Sequence, residues 1–397
     1  MAAINCETRQ ELDPVLNACS EEAKAVQTSK GSNETWTRRT PLSGTPRRVY
    51  RVSPIKDRRW EEFLTRNPGA SLFHSSAWLE ALQRTYGYEP VVYTTSPPSQ
   101  RLENGLAFCR VESRLTGCRL VSLPFSDYCQ PLAEKATDLI ALRTAIEDEV
   151  RTRGWRYFEV RPLVPIAMTS PNWHTAAIYF HHQIDLQPEI ATLLSNLHKN
   201  SIQRKIRRAE REGLTYVSGT TESSLDSFYR LMVQTRRRHG VPPQPKKWFE
   251  ALVDCFGPAL EIRMALKDAK PIAAMLTIRH KDTLVYKYGG SDLQYKKLGG
   301  MHLLYWNSIQ DAKRSGLRSF DLGRTDIDQS GLSTFKKRWG AHESRISYSR
   351  YTYLGDWAHS FESAGPSWKT QTAKFILSHT PNRLLEVLGN RVYRHFG

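Results

Sequence analysis

Apolar residues recur at two spacings along this chain, and the sharpest change between them lies in residues 299–340. Leu303, Leu304, Trp306, Asn307, Ile309 and Ala312 keep helical period, while Lys313 and Arg314 occupy the last turn, where the helix dipole favours cations. Gly316 supplies the stop. Residues 318–322 then alternate as a half-buried strand does, and a polar loop leads into Phe335-Lys-Lys-Arg-Trp-Gly. Turn, helix, strand and loop in this order build a ligand site on an α/β scaffold. Gly299 and Gly300 at the helix entry leave N–H groups available to a phosphate or an oxyanion; a plain turn before a helix is the competing reading.

Upstream, residues 1–48 hold few large apolar side chains in any period and read as a disordered polar tail. Trp60, Phe63 and Leu64 predict a short helix, and a second, capped by Ser75 or Ser76, runs to a stop at Gly87. Strands are predicted at residues 91–95, 105–113 and 119–124, the last ending at a proline, followed by a helix over 136–153 and a strand over 155–161. That last unit recurs. Arg153-Gly-Trp-Arg-Tyr-Phe-Glu-Val and Ser315-Gly-Leu-Arg-Ser-Phe-Asp-Leu share glycine, arginine, aromatic and acid in register. With a predicted hairpin at 259–266 and 272–279 and a strand at 283–289, the pattern gives a mixed α/β fold of two tandem domains. They span residues 49–185 and 186–353, each a mixed sheet flanked by helices, with the cleft between them as the default ligand site.

Charge narrows the choice of partner. A formal net charge of +17 points to polyanionic or phosphorylated ligands, or to an anionic membrane face. Much of it falls in residues 196–213, where Ile202, Ile206 and Ala209 mark one helical face and Lys199, Arg204, Lys205, Arg207, Arg208 and Arg211 crowd the rest. Glu210 and Glu212 do not offset six cations, so this helix is expected to bind phosphate, with a merely solvated face as the alternative. The six cysteines form no CxxC pair and no metal spacing, so no metal is expected and a reducing cytoplasm fits. There is no basic-then-apolar leader, and no run approaches the roughly 18 apolar residues of a spanning helix.

Five short motifs, in order, carry a resemblance. Phe73-His-Ser-Ser-Ala-Trp-Leu, Ser122-Leu-Pro-Phe-Ser-Asp-Tyr, Arg207-Arg-Ala-Glu-Arg-Glu-Gly, Phe320-Asp-Leu-Gly and Phe335-Lys-Lys-Arg-Trp-Gly resemble the FemAB-related transferases. They are similar in particular to bacterial members with the so-called BioF-like acetyltransferase domain, some of which accompany exopolysaccharide loci. The resemblance covers residues 50–353 and implies two tandem GNAT-type domains. It also implies cytoplasmic transfer of an acyl or aminoacyl group to an amine of a cell-envelope, polysaccharide or peptidoglycan-precursor acceptor. No long helical arm is present, and Lys296-Lys-Leu-Gly-Gly-Met only approximates the phosphate loop of coenzyme-A-dependent relatives. Lys296, Gly299 and Gly300 are therefore the candidate donor-binding residues, and the donor stays open between acyl-CoA, acyl carrier protein and aminoacyl-tRNA.

The chemistry requires alignment of an amine with an ester or thioester carbonyl, an outlet for a proton and a stabilised oxyanion. No Ser-His-Asp or Cys-His arrangement is legible. Lys336 is the first catalytic candidate, its fixed ammonium offsetting oxyanion or phosphate charge, against a surface lysine in a basic turn. Asp321 would orient the amine or take a proton, against an ion pair with Arg324 or Arg318. Lys199, Arg204, Arg207, Arg208, Arg324, Asp127 and Tyr128 are candidate substrate-binding residues, and His74 reads as a helix-entry residue. The competing class is a non-catalytic basic module for nucleic acid or anionic membrane, although no stacking series of aromatics accompanies the cations. Residues 354–397 form a basic amphipathic extension. Leu384, Leu385, Leu388 and Val392, ringed by Arg383, Arg391 and Arg394, either fold back on the core or lie in the headgroup plane of an anionic leaflet, placing the protein at the membrane's inner face.

Overall fold

The strands of both halves join a single twelve-stranded sheet. In the computed structural model, which describes residues 47–166, 171–353 and 375–395, the described residues pack as one unit. The predicted polar tail lies outside the described residues except at its last two positions. The first half runs β1 (Tyr50–Val52), α1 (Arg58–Arg66), α2 (Ser76–Tyr86), β2 (Glu89–Thr94), β3 (Leu106–Ser113), β4 (Gly117–Val121), α3 (Ala136–Thr152), β5 (Phe158–Val160) and β6 (Trp173–Asp185). The second runs α4 (Ile190–Asn196), a π-helical turn (Lys199–Gln203), α5 (Arg204–Arg211), β7 (Thr215–Gly219), α6 (Glu222–Arg238), α7 (Lys246–Phe256), β8 (Leu260–Lys267), β9 (Lys270–His280) and β10 (Thr283–Ser291). It ends with α8 (Gly300–Arg314), β11 (Ser319–Asp326), α9 (Ser330–Arg338) and β12 (His342–Tyr351).

Sheet order is β1-β2-β3-β4-β5-β12-β6-β11-β10-β9-β8-β7. Each half contributes a parallel pair crossed by a helix, β4 with β5 and β10 with β11, while the other neighbours pair antiparallel. The last strand of each half goes to the other. β6 pairs with β11, β12 pairs with β5, and the two lie against each other from His342↔Gln183 to Tyr351↔Trp173. A division into two GNAT-like domains at 185/186 is our proposal, and it falls at the end of β6.

Local chemistry explains the elements that were legible. Ser75 accepts the N–H of Trp78 at the start of α2, and Gly87 closes that helix in the left-handed region at φ 72°. Alternation along the strands sends Ala274, Leu276 and Ile278 of β9 to one face and Ala273 and Met275 to the other. On the first face a core runs across both halves, from Trp60, Phe73 and Trp78 to Trp248, Phe249 and Leu276. The opposite face carries two separate cores: α8, α5 and Trp339 in the second half, and Leu142, Ile146, Phe108 and Phe158 in the first.

Three predicted elements differ. β4 stops at Val121, short of Pro124, and the strand over 155–161 shrinks to Phe158–Val160, because the neighbouring residues turn away into the loop and bridge Cys129↔Arg161. The run beginning at Phe335 is part of helix α9 rather than a turn. β6 and β12, the two strands at the middle of the sheet, were not foreseen at all.

The extension folds back on the protein. In the C-terminal helix Asn382–Val392, Leu385 is fully buried, and a Cβ on Gly389 would run into the Pro243 carbonyl oxygen. Beyond it, the Tyr88 hydroxyl donates to the Tyr393 carbonyl (3.0 Å) and Arg119 to that of His395 (2.8 Å), tying the terminus to the first half. Residues 354–374 lie outside those described. Among the described residues no helix is long and apolar enough to cross a membrane.

Trp78 of α2 and Trp248 of α7 meet edge to face at 5.2 Å, both fully buried, and they join the halves. Trp78→Ala should lower stability by about 3–5 kcal/mol while keeping one cooperative transition, read by urea unfolding at far-UV circular dichroism and tryptophan fluorescence. Two separated transitions in the wild-type protein would contradict a shared core.

Candidate functional site

The site is built where two parallel strands part. β10 and β11 are paired only from Thr283↔Ser319 to Val285↔Asp321; beyond that point β10 stays with β9 and β11 with β6, and a wedge opens between them. Each strand is irregular at the mouth of the wedge: β10 skips a residue at Lys287, and β11 breaks register between Asp321 and Arg324. Gly323 makes the second break feasible. Its φ of 69° is left-handed, and a Cβ there would stand 3.1 Å from the Asp127 carboxylate.

Asp321 is almost fully buried and completely partnered. One carboxylate oxygen accepts the Gly323 N–H (2.7 Å) and pairs with His181 Nε2 (2.9 Å), and the other accepts the Tyr128 hydroxyl (2.9 Å). Burial would raise this carboxyl, but the His181 charge and the three hydrogen bonds hold it below its usual range. His181 answers in kind: burial disfavours the imidazolium, yet the Asp321 charge lifts it above its ordinary value. Burial and the same acid push the Tyr128 phenol well up, so Tyr128 remains a proton donor.

A second acid closes the wedge from the first half. Asp127 accepts from Lys287 Nζ (2.8 Å), and the Lys287 ammonium also stands over the Phe73 ring at 4.9 Å. Burial lowers Lys287 despite the Asp127 charge. Arg324 donates to the Tyr348 hydroxyl (2.7 Å) and stacks on Tyr179 (4.3 Å), and Tyr348 in turn donates to the Asp127 carbonyl (2.7 Å). Lys336, on α9, is buried and donates to the Gly323 and Arg324 carbonyls at 3.0 Å each. Burial pushes its ammonium down to about 8.

The structure thus brings Lys336, Asp321, Tyr128, Asp127 and Arg324 into one group. Asp321 pairs with His181, not with Arg324 or Arg318; the carboxylate nearest Arg324 is Asp127, at 3.9 Å. Lys336 is no surface lysine, and it pins the β11 break. Lys199, Arg204 and Arg207 are exposed and Arg208 pairs with Glu212 (3.4 Å), so the basic segment is not part of the buried group. Its apolar face packs on α8: a Cβ on Gly299, at φ 87°, would stand 2.6 Å from the Lys205 carbonyl oxygen. Gly300 is likewise buried, 3.1 Å from the Ala273 side chain by the same measure. Close packing leaves no room for a side chain at either glycine. Lys296 is exposed on the turn Leu293–Leu298. Because β10 leads into that turn, the turn, the start of α8 and the basic segment stand at the end toward which the wedge opens.

His181, Lys287, Tyr179 and Tyr348 were missed. Three of them lie on β6 and β12, whose polar and histidine-rich sequences gave no apolar alternation. The only hint was the histidine pair inside Ile178-Tyr-Phe-His-His-Gln-Ile. A Cys-His contact invisible in the sequence also exists, with Cys129 Sγ 3.2 Å from His74 Nε2. It is not a nucleophile pair. His74 accepts the Ser71 N–H at Nδ1 and donates from Nε2 to the Gln130 carbonyl; burial holds it down to about 4 and pushes the Cys129 thiol up to about 12. Among the described residues no group of three or more His, Cys, Asp or Glu side chains could hold a metal.

Residues 197–337, from the basic segment through Lys336, match the family described as acetyltransferase (GNAT) domain. Over that span the chain is similar to GNAT acetyltransferase domains. Over 149 residues it is 26% identical to a UDP-N-acetylmuramoylpentapeptide-lysine N(6)-alanyltransferase of Weissella viridescens, covering 37% of this chain and 44% of that enzyme. The chain thus spans under half the length of that relative. The crystal structure of FemX superposes with a TM-score of 0.60 at 14% identity, covering 80% of this chain and all of the other. The C-terminal domain of a putative lysylphosphatidylglycerol synthetase from Agrobacterium fabrum follows at 0.50 and 14%, covering 77% and 94%. These bear out the resemblance to FemAB-related transferases and the mixed α/β class.

The His181–Asp321 pair makes a signed prediction. Because the folded imidazole is raised above its free value of about 6.5, its contribution is complete below that pH and is lost as pH rises through the raised value. Lys336, held down, acts in the opposite direction, so the comparison is with His181→Gln. From about pH 6 to about pH 9 the wild-type advantage over His181→Gln in urea unfolding should shrink; a constant difference would refute the pair.

Proposed function

We propose that this protein is an N-acyltransferase that moves an acyl or aminoacyl group from an activated donor to an amine of a cell-envelope precursor. The observation that carries this reading is the β10–β11 wedge, with a fully partnered acid, a phenol and two buried ammonium groups at its mouth. Opened backbone edges there suit an extended acyl chain or peptide, and the charge balance favours an oxyanion. The amine nitrogen attacks the donor carbonyl, forming a C–N bond as the C–S or C–O bond breaks. The amine gives up a proton and the leaving group gains one.

In this reading Asp321 does not take the proton itself, since the His181 charge and three hydrogen bonds hold its carboxyl below its usual range; it fixes the Tyr128 hydroxyl and His181. Tyr128, kept protonated, would turn its single O–H from Asp321 to the leaving group or the oxyanion once substrate is bound. Lys336 holds the Gly323 and Arg324 carbonyls and supplies positive charge. The exposed face of residues 199–211 would bind phosphates of an acyl-CoA, an acyl carrier protein, an aminoacyl-tRNA or a lipid-linked or nucleotide-linked acceptor, with Lys296 and the start of α8 beside it. The alanyltransferase relative supports an acceptor of the peptidoglycan-precursor class.

The experiment offers the purified protein radiolabelled acetyl-CoA or alanyl-tRNA together with UDP-linked muramoyl pentapeptide, and follows label in the peptide. Transfer from neither donor to this or any other amine-bearing envelope precursor would sink the proposal. Lys336→Ala should fold and lose on the order of a hundredfold in rate, and wild-type activity should fall as pH rises through about 8, where the ammonium is lost. A rate that climbs through that pH would make Lys336 a base instead. Replacing Arg204, Arg207 and Arg208 together by Gln should raise KM more than it lowers kcat; an unchanged KM returns these residues to a solvated surface.

A further inference from the structure

The C-terminal helix uses only one side against the protein. Leu385 and Gly389 turn inward, and Glu386 lies toward α6, where burial together with its charge pushes the Tyr229 phenol up. The opposite side is apolar and open: Leu384 is 59% exposed, Val387 50% and Leu388 38%, at i, i+3 and i+4. Phe375 and Ile376, one short turn upstream, are also exposed. Arg383, Arg391 and Arg394 are exposed around this row, and the acid of the helix faces away from it. An apolar strip of this kind is unusual on a surface facing water alone.

On the protein-facing side of the same segment lies a cavity of 570 Å³, between it, α6 and the turn that follows β10. Arg237 and Arg238 line it with Leu293, Ser378 and Asn382, and one carboxylate, Asp292, stands among them. Arg237 and Arg238 are exposed, and Leu293 is 56% exposed. A row of leucines ringed by arginines, next to an arginine-lined cavity, complements a surface that is apolar within and anionic at its rim.

We infer that this face docks on an anionic phospholipid membrane, the outward leucines entering the headgroup boundary and Arg237 and Arg238 receiving a lipid phosphate. The net charge of +17 strengthens the attraction at long range. Docking there leaves Leu385 and Gly389 on the protein, so the helix need not peel away. It also sets the turn Leu293–Leu298, at the open end of the wedge, beside the membrane, where a lipid-linked substrate would arrive.

Co-sedimentation of the full chain with vesicles of phosphatidylcholine plus phosphatidylglycerol tests this, against pure phosphatidylcholine. Binding should appear at low salt on the anionic vesicles, weaken with added salt, and fall at least tenfold for Leu384→Glu with Leu388→Glu. Both side chains face outward, so thermal unfolding of this variant should match wild type; Arg237→Gln with Arg238→Gln, which leaves the helix untouched, should weaken binding independently. Absence of binding at low salt, or equal binding by both variants, overturns the inference. So does a wild-type dimer in sedimentation velocity that the leucine variant dissolves, because a second copy would then cover the strip. No donor or acceptor is present, so the result stands apart from the transferase reading.

Discussion

The antiparallel pairing of β6 with β12 is the contact on which the rest depends. Each strand comes from one half of the chain and completes the sheet of the other, so neither parallel pair is finished without a strand contributed from elsewhere. Their register sets which side chains reach the wedge. A slip of one residue would turn His181 away from Asp321 and bring its neighbour His182 round in its place. His182 at present is buried and paired with Glu343 (3.0 Å) on the facing strand, and Glu343 also bonds Ser333 of the helix carrying Lys336. The strand exchange therefore positions both the acid's partner and the ammonium.

The recurrence of Phe158-Glu159 and Phe320-Asp321 shows how two copies of one unit diverge chemically. Glu159 is buried like Asp321, but Arg161 (2.9 Å) and Arg350 (2.6 Å) neutralise it, and Arg350 stacks on Tyr157 at 4.0 Å. Where the first half has Arg161, two places beyond its acid, the second has Gly323, whose left-handed backbone leaves room for Asp127. One substitution class closes a site with two guanidinium groups; the other opens it to a carboxylate reaching across from the first half. The first half thus supplies Asp127 and Tyr128 to the wedge while its own acid is held in a structural network.

Aromatic packing explains the rigidity of this arrangement. Phe73 meets Trp78 edge to face at 5.0 Å and Tyr128 at 5.5 Å, and Lys287 stands over the first two rings. An ammonium desolvated in this way is tolerable only because ring faces and Asp127 surround it. Tyr305 and Trp339 stack at 5.2 Å, and Phe335 of α9, next to Lys336, meets both rings. The motif residues quoted from the sequence are in large part these rings, which explains why short aromatic-polar strings carried the resemblance.

The sequence by itself determined the elements whose period is enforced by burial on one face: α2 with its Ser75 cap, the β8–β9 hairpin, and α8 with its stop at Gly316. Those signals are local, and so was the repeat that pointed to paired α/β units. It also marked Asp321, Tyr128, Asp127 and Arg324, because their motifs end strands or loops that an α/β scaffold turns toward a ligand, and Lys336 through the family resemblance of its motif. Tertiary structure alone decided what these residues do to one another. His181 and Lys287 enter the site through strand pairing and a break in register, neither of which leaves a periodic trace. β6 and β12 escaped notice because strands in mid-sheet here spend their polar side chains on each other and on the site, so no apolar alternation remains to read. The close packing of Gly299 on the Lys205 backbone and of Gly300 on the Ala273 side chain is likewise a contact that no local pattern records.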